Sequence, residues 1–173
     1  RQFWNKNVIA IGLSSGFLEP LESTSLHWIQ AGISKLLALF PTRDFAPHVR
    51  DEFNHLSATE FERIRDFIIL HYKLSTRDDS AFWRYCRDME VPDTVAHKIA
   101  HFKSFGRHIP RDLDLFGAPS WHAVHMGQGN IPDAPDPMAH YGAAAADGSG
   151  AAFLAKLRTA MAAEAAKAPS HEA

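Results

Sequence analysis

The stretch NVIAIGLSSGFLEPLESTSLHWIQAGISKLLALFP, residues 7–41, contains the clearest structural pattern in this 173-residue chain. Residues 7–12 form a short apolar run rich in β-branched side chains that ends at a glycine, which is typical of a buried strand before a tight turn. The segment LSSGFLEPLEST contains a glycine and a proline and is predicted to be an irregular loop. From Ser23 or Thr24, apolar residues recur at helical spacing until Pro41, and a hydroxyl at the start can accept free N–H groups.

Helical patterns dominate the rest of the chain. They predict a helix from a capping box at Ser57–Glu60 to near Leu74, a short helix capped by Ser80, a helix from Asp93 to Gly106, one or two turns in SWHAVHMGQG at 120–129, and an Ala-rich amphipathic helix over 151–167. The expected fold class is therefore α+β, mostly helical, with a single strand.

Composition narrows the classes of function. The chain has 18 Lys+Arg against 20 Asp+Glu, so it has no basic surplus for nucleic acid. A single cysteine, Cys86, cannot close an internal disulfide or build a zinc site, which fits a reducing cytoplasm. No apolar run approaches the roughly 20 residues that span a bilayer, and the start has no signal-peptide pattern. We therefore expect a cytoplasmic protein with neither nucleic acid nor membrane as a partner.

Several catalytic motifs are absent or incomplete. Among eleven histidines, His97 and His101 lie four apart and His122 and His125 three apart, spacings that can place two imidazoles on one helix face. No third ligand is evident and there is no HExxH motif, so no metal site is predicted. The segment GLSSG is neither a GxSxG nucleophile elbow nor a GxGxxG nucleotide fingerprint.

The segment Glu19–Thr24 points to a site. Two carboxylates lie at the start of a helix whose first amides have no intrahelical acceptor and so attract anions. The amides of Thr24 and Ser25 can hold a small anion while Glu22 supplies a fixed charge or an acid/base group. The alternative is that these carboxylates only cap the helix and complement its dipole.

Three segments resemble one family in the same order. Residues 7–41, DFIILHYKLSTRDDSAFWRYCRDMEVPD at 66–93 and FGAPSWHAVHMGQGNIP at 116–132 are similar to flavin-dependent halogenases of the tryptophan-halogenase family. The resemblance covers about residues 1–141. It implies the C-terminal fragment of an FAD-dependent monooxygenase-like fold, divided into the end of an FAD-binding domain at 1–44, a helical domain at 45–141, and a Gly/Ala-rich linker with a tail helix at 142–173.

The resemblance also implies a reaction. Reduced FAD, O₂ and chloride or bromide would halogenate an electron-rich, indole-like aromatic, with the reduced flavin delivered by a separate reductase; the family resemblance is also compatible with a homodimer. The family's nucleotide fingerprint and tunnel lysine would lie upstream, so these residues alone are not expected to halogenate. Two alternatives stay open: a related FAD-dependent hydroxylase, and a stand-alone helical interaction module that binds partners through residues 151–167. Against that module, the strand at 7–12 has no evident pairing partner in the chain.

The resemblance assigns roles by matching positions. It implies that Glu22 and Ser23 are catalytic, that the amides of Thr24 and Ser25 bind halide, and that the loop residues contacting flavin are Gly12, Leu13, Gly16, Phe17, Leu18 and Pro20. Trp121 and His125 are candidates for the substrate cleft, with ordinary packing as the alternative for Trp121. Ser25 stands where tryptophan-specific members usually have glycine, and the paired tyrosines that clamp free tryptophan are absent, which leaves the substrate open.

Overall fold

The computed structural model describes residues 2–138 and 149–169. The chain divides into two units, Arg1–Ala134 and Pro135–Ala173. The first unit contains the helices α1 (Thr24–Ala38), α2 (Pro47–Lys73), α3 (Ala81–Asp88), α4 (Asp93–Phe105) and α5 (Ala118–Gly127). The second unit contains α6 (Ser149–Ala165). The mostly helical α+β class is confirmed.

The expected single strand is half of a hairpin. Strand β1 (Trp4–Asn5) pairs antiparallel with β2 (Val8–Ile9), with Trp4 opposite Ile9. Lys6 makes the turn with a positive φ of 54°. The expectation of a strand without a partner was therefore wrong, because a two-residue strand is too short to produce a pattern of alternation. Because the strand is paired within the chain, it no longer argues against a stand-alone helical module.

Helix α2 anchors the hairpin through one asparagine. The Asn54 side-chain oxygen accepts hydrogen bonds from the backbone N–H groups of Phe3 at 2.7 Å and Trp4 at 2.8 Å. Its amide nitrogen donates to the Trp4 carbonyl at 2.9 Å. Three hydrogen bonds to one short segment fix the direction in which the chain enters the next loop.

Helix α2 begins ten residues earlier than the capping box suggested. It begins with Pro47 in its first turn, and Ser57 lies buried in its interior. The buried face of α2 includes Ser57, Glu60 and Asp66. These polar members interrupt the apolar spacing, so the pattern of apolar residues becomes visible only in the second half of the helix.

Glu60 is buried because α1 supplies two partners for its carboxylate. Its carboxylate accepts a hydrogen bond from the Lys35 ammonium and lies 3.0 Å from Nε2 of His27. A buried carboxylate needs such partners to offset its lost hydration. This pairing holds α1 against the middle of α2.

Two apolar clusters form a large part of the core of the first unit. The first joins the hairpin, α1 and α2 through Phe3, Trp4, Trp28, Phe53, Ile64 and Ile68. The second joins α2 to α5 through Phe67, Leu70 and Trp121. The two clusters fix α1 and the end of α2 to a common scaffold, and the segment between β2 and α1 lies on it.

The other predicted helices are present. Ser80 accepts a hydrogen bond from the Trp83 amide at 3.4 Å and so caps α3, and α4 ends at Gly106 with a φ of 68°. Residues 120–127 belong to the ten-residue helix α5, which is longer than one or two turns, and residues 128 and 129 follow its end. In the second unit α6 confirms the Ala-rich helix, with Phe153, Leu154, Leu157 and Met161 exposed. Most of the predicted linker, residues 142–148, lies outside the described residues.

Candidate functional site

A left-handed residue connects the predicted loop to α1. The loop contains two single 3₁₀ turns, Gly12–Ser14 and Pro20–Glu22, and the second leads directly into Ser23. Ser23 has φ 55° and ψ 29°, and its side chain makes no capping hydrogen bond. The expected hydroxyl cap is therefore wrong for Ser23. The N–H groups of the first helical turn have no intrahelical acceptor, and the side chain of the N-cap residue, Ser23, does not accept a hydrogen bond from them.

A small hollow lies against this helix start. It holds about 260 Å³ of space, part of it open solvent, and is lined by Leu13, Gly16, Leu18, Thr24, Ser25 and Trp28. Thr24 is 2% exposed, and its Oγ1 is buried without a hydrogen-bond partner in the part of the chain that the structure describes. A buried hydroxyl without a partner costs free energy, so such a group usually meets a ligand or water. The structure thus brings together the residues assigned to halide and several of those assigned to flavin.

Two glycines permit the close packing of this loop. Gly12 has φ 64°, and a Cβ added to it would lie 2.7 Å from Cγ1 of Ile29 on α1. A Cβ on Gly16 would lie 2.9 Å from the Phe61 ring on α2. The glycines therefore seat the loop on the two helices, whereas Phe17 between the turns is 73% exposed and presents an apolar surface.

Both loop glutamates are held by consecutive residues at the end of α2. His71 Nε2 lies 3.0 Å from Oε1 of Glu22. The Tyr72 hydroxyl donates to Glu19, and this hydrogen bond raises the pKa of Tyr72 to about 12. The sequence analysis did not identify His71 or Tyr72 as site residues. The sequence contains no signal for these contacts, because 49 positions separate His71 from Glu22.

An open cleft of about 600 Å³ lies beside these residues. Its wall contains the stacked rings of Tyr72 and Trp83, whose centroids are 5.9 Å apart. The Arg77 guanidinium lies 4.5 Å from the centre of a Trp83 ring, and Leu21, next to Glu22, also lines the cleft. The cleft combines aromatic and polar walls next to the predicted catalytic carboxylate.

Trp121 and His125, the substrate candidates, lie in the interior. Each is 1% exposed. The Trp121 indole N–H donates to the Phe116 carbonyl at 3.1 Å, and the His125 ring stacks on Phe102 with centroids 4.1 Å apart. Asn130 Nδ2 donates to His125 Nδ1 at 2.9 Å. This burial favours a packing role for both residues.

The buried His125 predicts a pH dependence of stability. Burial lowers its pKa to about 4 from the usual 6.5, so between these values the unfolded chain binds more protons. The stabilisation is complete above pH 6.5 and is lost as the pH falls toward 4, by about 3 kcal/mol at most. Urea unfolding between pH 8 and pH 4 measures this slope. We expect His125→Gln to flatten it and the exposed-site control His97→Gln to retain it; an unchanged slope in His125→Gln would contradict the assignment.

The two spaced histidine pairs lie on α4 and α5. The rings of His97 and His101 lie 6.0 Å apart, and both ring nitrogens of His122 lie within 2.8 Å of backbone carbonyl oxygens. Among residues 2–138 and 149–169, no three His, Cys, Asp or Glu side chains are grouped to hold a metal ion. Within the same ranges, no helix combines the length and apolarity needed to cross a membrane.

Known proteins resemble this chain along most of its length. A flavin-dependent halogenase from Brevundimonas sp. BAL3, BrvH, superimposes with a TM-score of 0.87 and 49% identity over 99% of this chain and 34% of its own. A flavin-dependent halogenase from Xanthomonas campestris gives 0.84 and 42%, over 98% of this chain and 34% of its own. The tryptophan 6-halogenase SttH of Streptomyces toxytricini is 37% identical over 79% of this chain and 27% of its length.

The chain therefore spans about a third of the length of these relatives. The family model for tryptophan halogenases matches residues 1–144, which include the hairpin, the loop with its helix start, and the five helices of the first unit. This match covers most of the chain and agrees with the relatives in sequence and in fold. On these grounds, the chain belongs to the tryptophan halogenase family.

Proposed function

We propose that a full-length protein carrying this chain is a flavin-dependent halogenase, in which the chain supplies the halide site and the catalytic carboxylate. It would use reduced FAD, O₂ and chloride or bromide to halogenate an electron-rich, indole-like aromatic. The observation that carries the proposal is the buried Thr24 hydroxyl without a partner, beside the free amides at the start of α1. Helix N-termini attract anions through these amides and through the helix dipole.

The donor set suits a halide. The amides of Thr24 and Ser25 donate hydrogen bonds and carry no charge, so they can hold an anion without fixing it as an ion pair. The hollow they line is small, and Leu13, Leu18 and Trp28 make its other walls apolar. A poorly hydrated monovalent anion fits such walls better than a large polyanion does.

The loop between the two 3₁₀ turns suits a flat cofactor. Leu13 and Phe17 are 67% and 73% exposed, and Pro20 is exposed beside them. Gly12 and Gly16 seat this loop closely on α1 and α2, and Leu18 packs against the core, whereas Leu13, Phe17 and Pro20 remain accessible. An isoalloxazine ring packed on them would lie next to the halide hollow. Reduced flavin, when bound there, supplies the electrons that activate O₂ toward halide.

Glu22 is the group that handles protons at the site. When a halogen replaces a ring hydrogen of an aromatic, a proton must leave the carbon, and a fixed carboxylate can accept it. Glu22 lies at the end of the second 3₁₀ turn and is held by His71. In the sequence, Ser23 lies between Glu22 and the two residues whose amides would hold the halide.

The remaining partners follow from this chemistry. The reaction consumes reduced flavin, so a separate flavin reductase is the proposed partner. The proposed compartment is the cytoplasm, consistent with the buried free thiol of Cys86. We leave the homodimer as a proposal for sedimentation measurements on the full-length protein.

Halide dependence tests the proposed function. The full-length protein, supplied with a flavin reductase, FAD, O₂ and indole, is expected to form a brominated or chlorinated product only when the matching halide is present. Mass spectrometry of the products measures this directly. An oxygenated product that forms equally well without halide would support a hydroxylase and overturn the proposal.

A further inference from the structure

The imidazole of His71 is held at both of its nitrogens. Nδ1 lies 2.8 Å from the backbone carbonyl oxygen of Phe67, and Nε2 lies 3.0 Å from Oε1 of Glu22. A carbonyl oxygen has no proton to give, so Nδ1 must be the donor in the first hydrogen bond. The ring of Phe67 meets the imidazole edge-on with centroids 4.8 Å apart, which helps to fix its orientation.

This arrangement requires one more proton. A neutral imidazole carries a single N–H, and in His71 this N–H donates to the Phe67 carbonyl. If Glu22 were ionised and His71 neutral, lone pairs would face each other across the 3.0 Å between Nε2 and Oε1. A proton must therefore lie on His71 Nε2 or on the Glu22 carboxyl. On Nε2 it makes a charge-assisted hydrogen bond to the carboxylate, and on the carboxyl it makes a neutral hydrogen bond to the imidazole.

We propose that His71 is a positioning residue for Glu22 and that the two side chains share one proton between Nε2 and Oε1. The inference rests on the proposed function, because it explains how Glu22 is kept in one orientation at the site. Glu22 is 39% exposed and His71 16%, so the histidine is the fixed member and the carboxylate the accessible one. Oε2 makes no hydrogen bond to any described residue, which leaves it for the reacting proton.

Among the described residues, the Lys, Arg, Asp or Glu side chain that lines the cleft is Arg77, and it has a partner of its own. Tyr72 beside it is engaged by Glu19, and the Arg77 guanidinium in the same cleft is bound by Asp79 at 2.7 Å. The contribution of the segment after α5 to the cleft is the uncharged Gln128. Neither Tyr72 nor Arg77 hydrogen-bonds to His71 or Glu22, whose contact with each other is the 3.0 Å between Nε2 and Oε1.

Nitrogen NMR of the imidazole tests the shared proton without using catalysis. In the full-length protein labelled with ¹⁵N-histidine, the His71 signals are assigned by their loss in His71→Gln. We expect Nδ1 to be protonated throughout, and Nε2 to lose its share of a proton in Glu22→Gln, since the glutamine amide can donate to a bare nitrogen. A protonated Nε2 with a bare Nδ1, or a spectrum that Glu22→Gln does not change, would overturn the proposal.

Kinetics test the positioning role. We expect His71→Gln to lower kcat for halogenation at least about tenfold while leaving the KM for halide within about twofold. His55→Gln, the same substitution at an exposed position of α2, is the matched control and should match wild type. Wild-type kcat in His71→Gln would overturn the inference alone. A wild-type protein that halogenates nothing would overturn the proposed function, and the NMR result would still decide the shared proton.

Discussion

Replacing Glu22 with glutamine in the full-length protein is expected to lower kcat for halogenation by roughly 10²–10⁴-fold, the usual contribution of a positioned acid or base. Glutamine keeps the size of the side chain and can still bond to His71, but it cannot accept a proton. The rate of product formation by liquid chromatography and mass spectrometry, with reductase and halide in excess, measures the loss.

Two measurements separate chemistry from folding in this variant. Flavin affinity should change little, because Glu22 is not among the residues assigned to the flavin, the last of which, Pro20, begins its turn. Glu19→Gln is the matched control: it removes the same charge from the residue that precedes the same turn, but Glu19 is bound to the Tyr72 hydroxyl. We expect Glu19→Gln to stay within about tenfold of wild type. Wild-type turnover in Glu22→Gln, or an equal loss in both variants, would contradict the catalytic assignment.

The start of α1 was predictable because its signals are local. A proline-containing turn and apolar residues at helical spacing both fall within residues 20–41, whereas the hydroxyl of Ser23 makes no capping hydrogen bond. The same locality explains why the ends of α3 and α4 were predicted, since Ser80 and Gly106 act on the adjacent turn. An anion site at a helix N-terminus follows directly from the position of the helix.

The rest depends on contacts that no local pattern encodes. The first strand is held by Asn54, about 50 positions away, and Glu22 by His71 at a similar separation. The early start of α2 is concealed by Glu60, a charged residue that is buried only because α1 supplies Lys35. Polar residues of α2 that hydrogen-bond to α1 or to the hairpin look like surface residues in the sequence. The sequence alone therefore reveals neither their partners nor the buried face of α2.

Replacing Trp121 with alanine is expected to destabilise the packing of α5 on α2 by about 3–5 kcal/mol. The indole is 1% exposed, lies 4.8 Å from the Phe67 ring, and stacks on His108 at 5.1 Å. Lys98 Nζ lies 3.7 Å from the centre of a Trp121 ring, and burial lowers the pKa of this lysine, so the substitution also removes a partner of its ammonium. Hydrogen exchange of α5 and of the end of α2 in the full-length protein measures the effect.

The same variant decides between packing and substrate binding for this residue. Trp121→Phe is the control, because it keeps an aromatic ring in the cluster and loses the hydrogen bond to the Phe116 carbonyl, at a cost of about 1–3 kcal/mol. A packing role predicts faster exchange in both variants, graded by the volume removed, since the cavity left by alanine is the larger. A substrate role predicts native exchange in both with a raised KM for the aromatic.

Because Phe67 joins Trp121 to His71 through ring contacts on one face of α2, we also expect the alanine variant to loosen the support of Glu22. A loss of kcat should therefore accompany the faster exchange, and a change in KM alone would contradict the packing role.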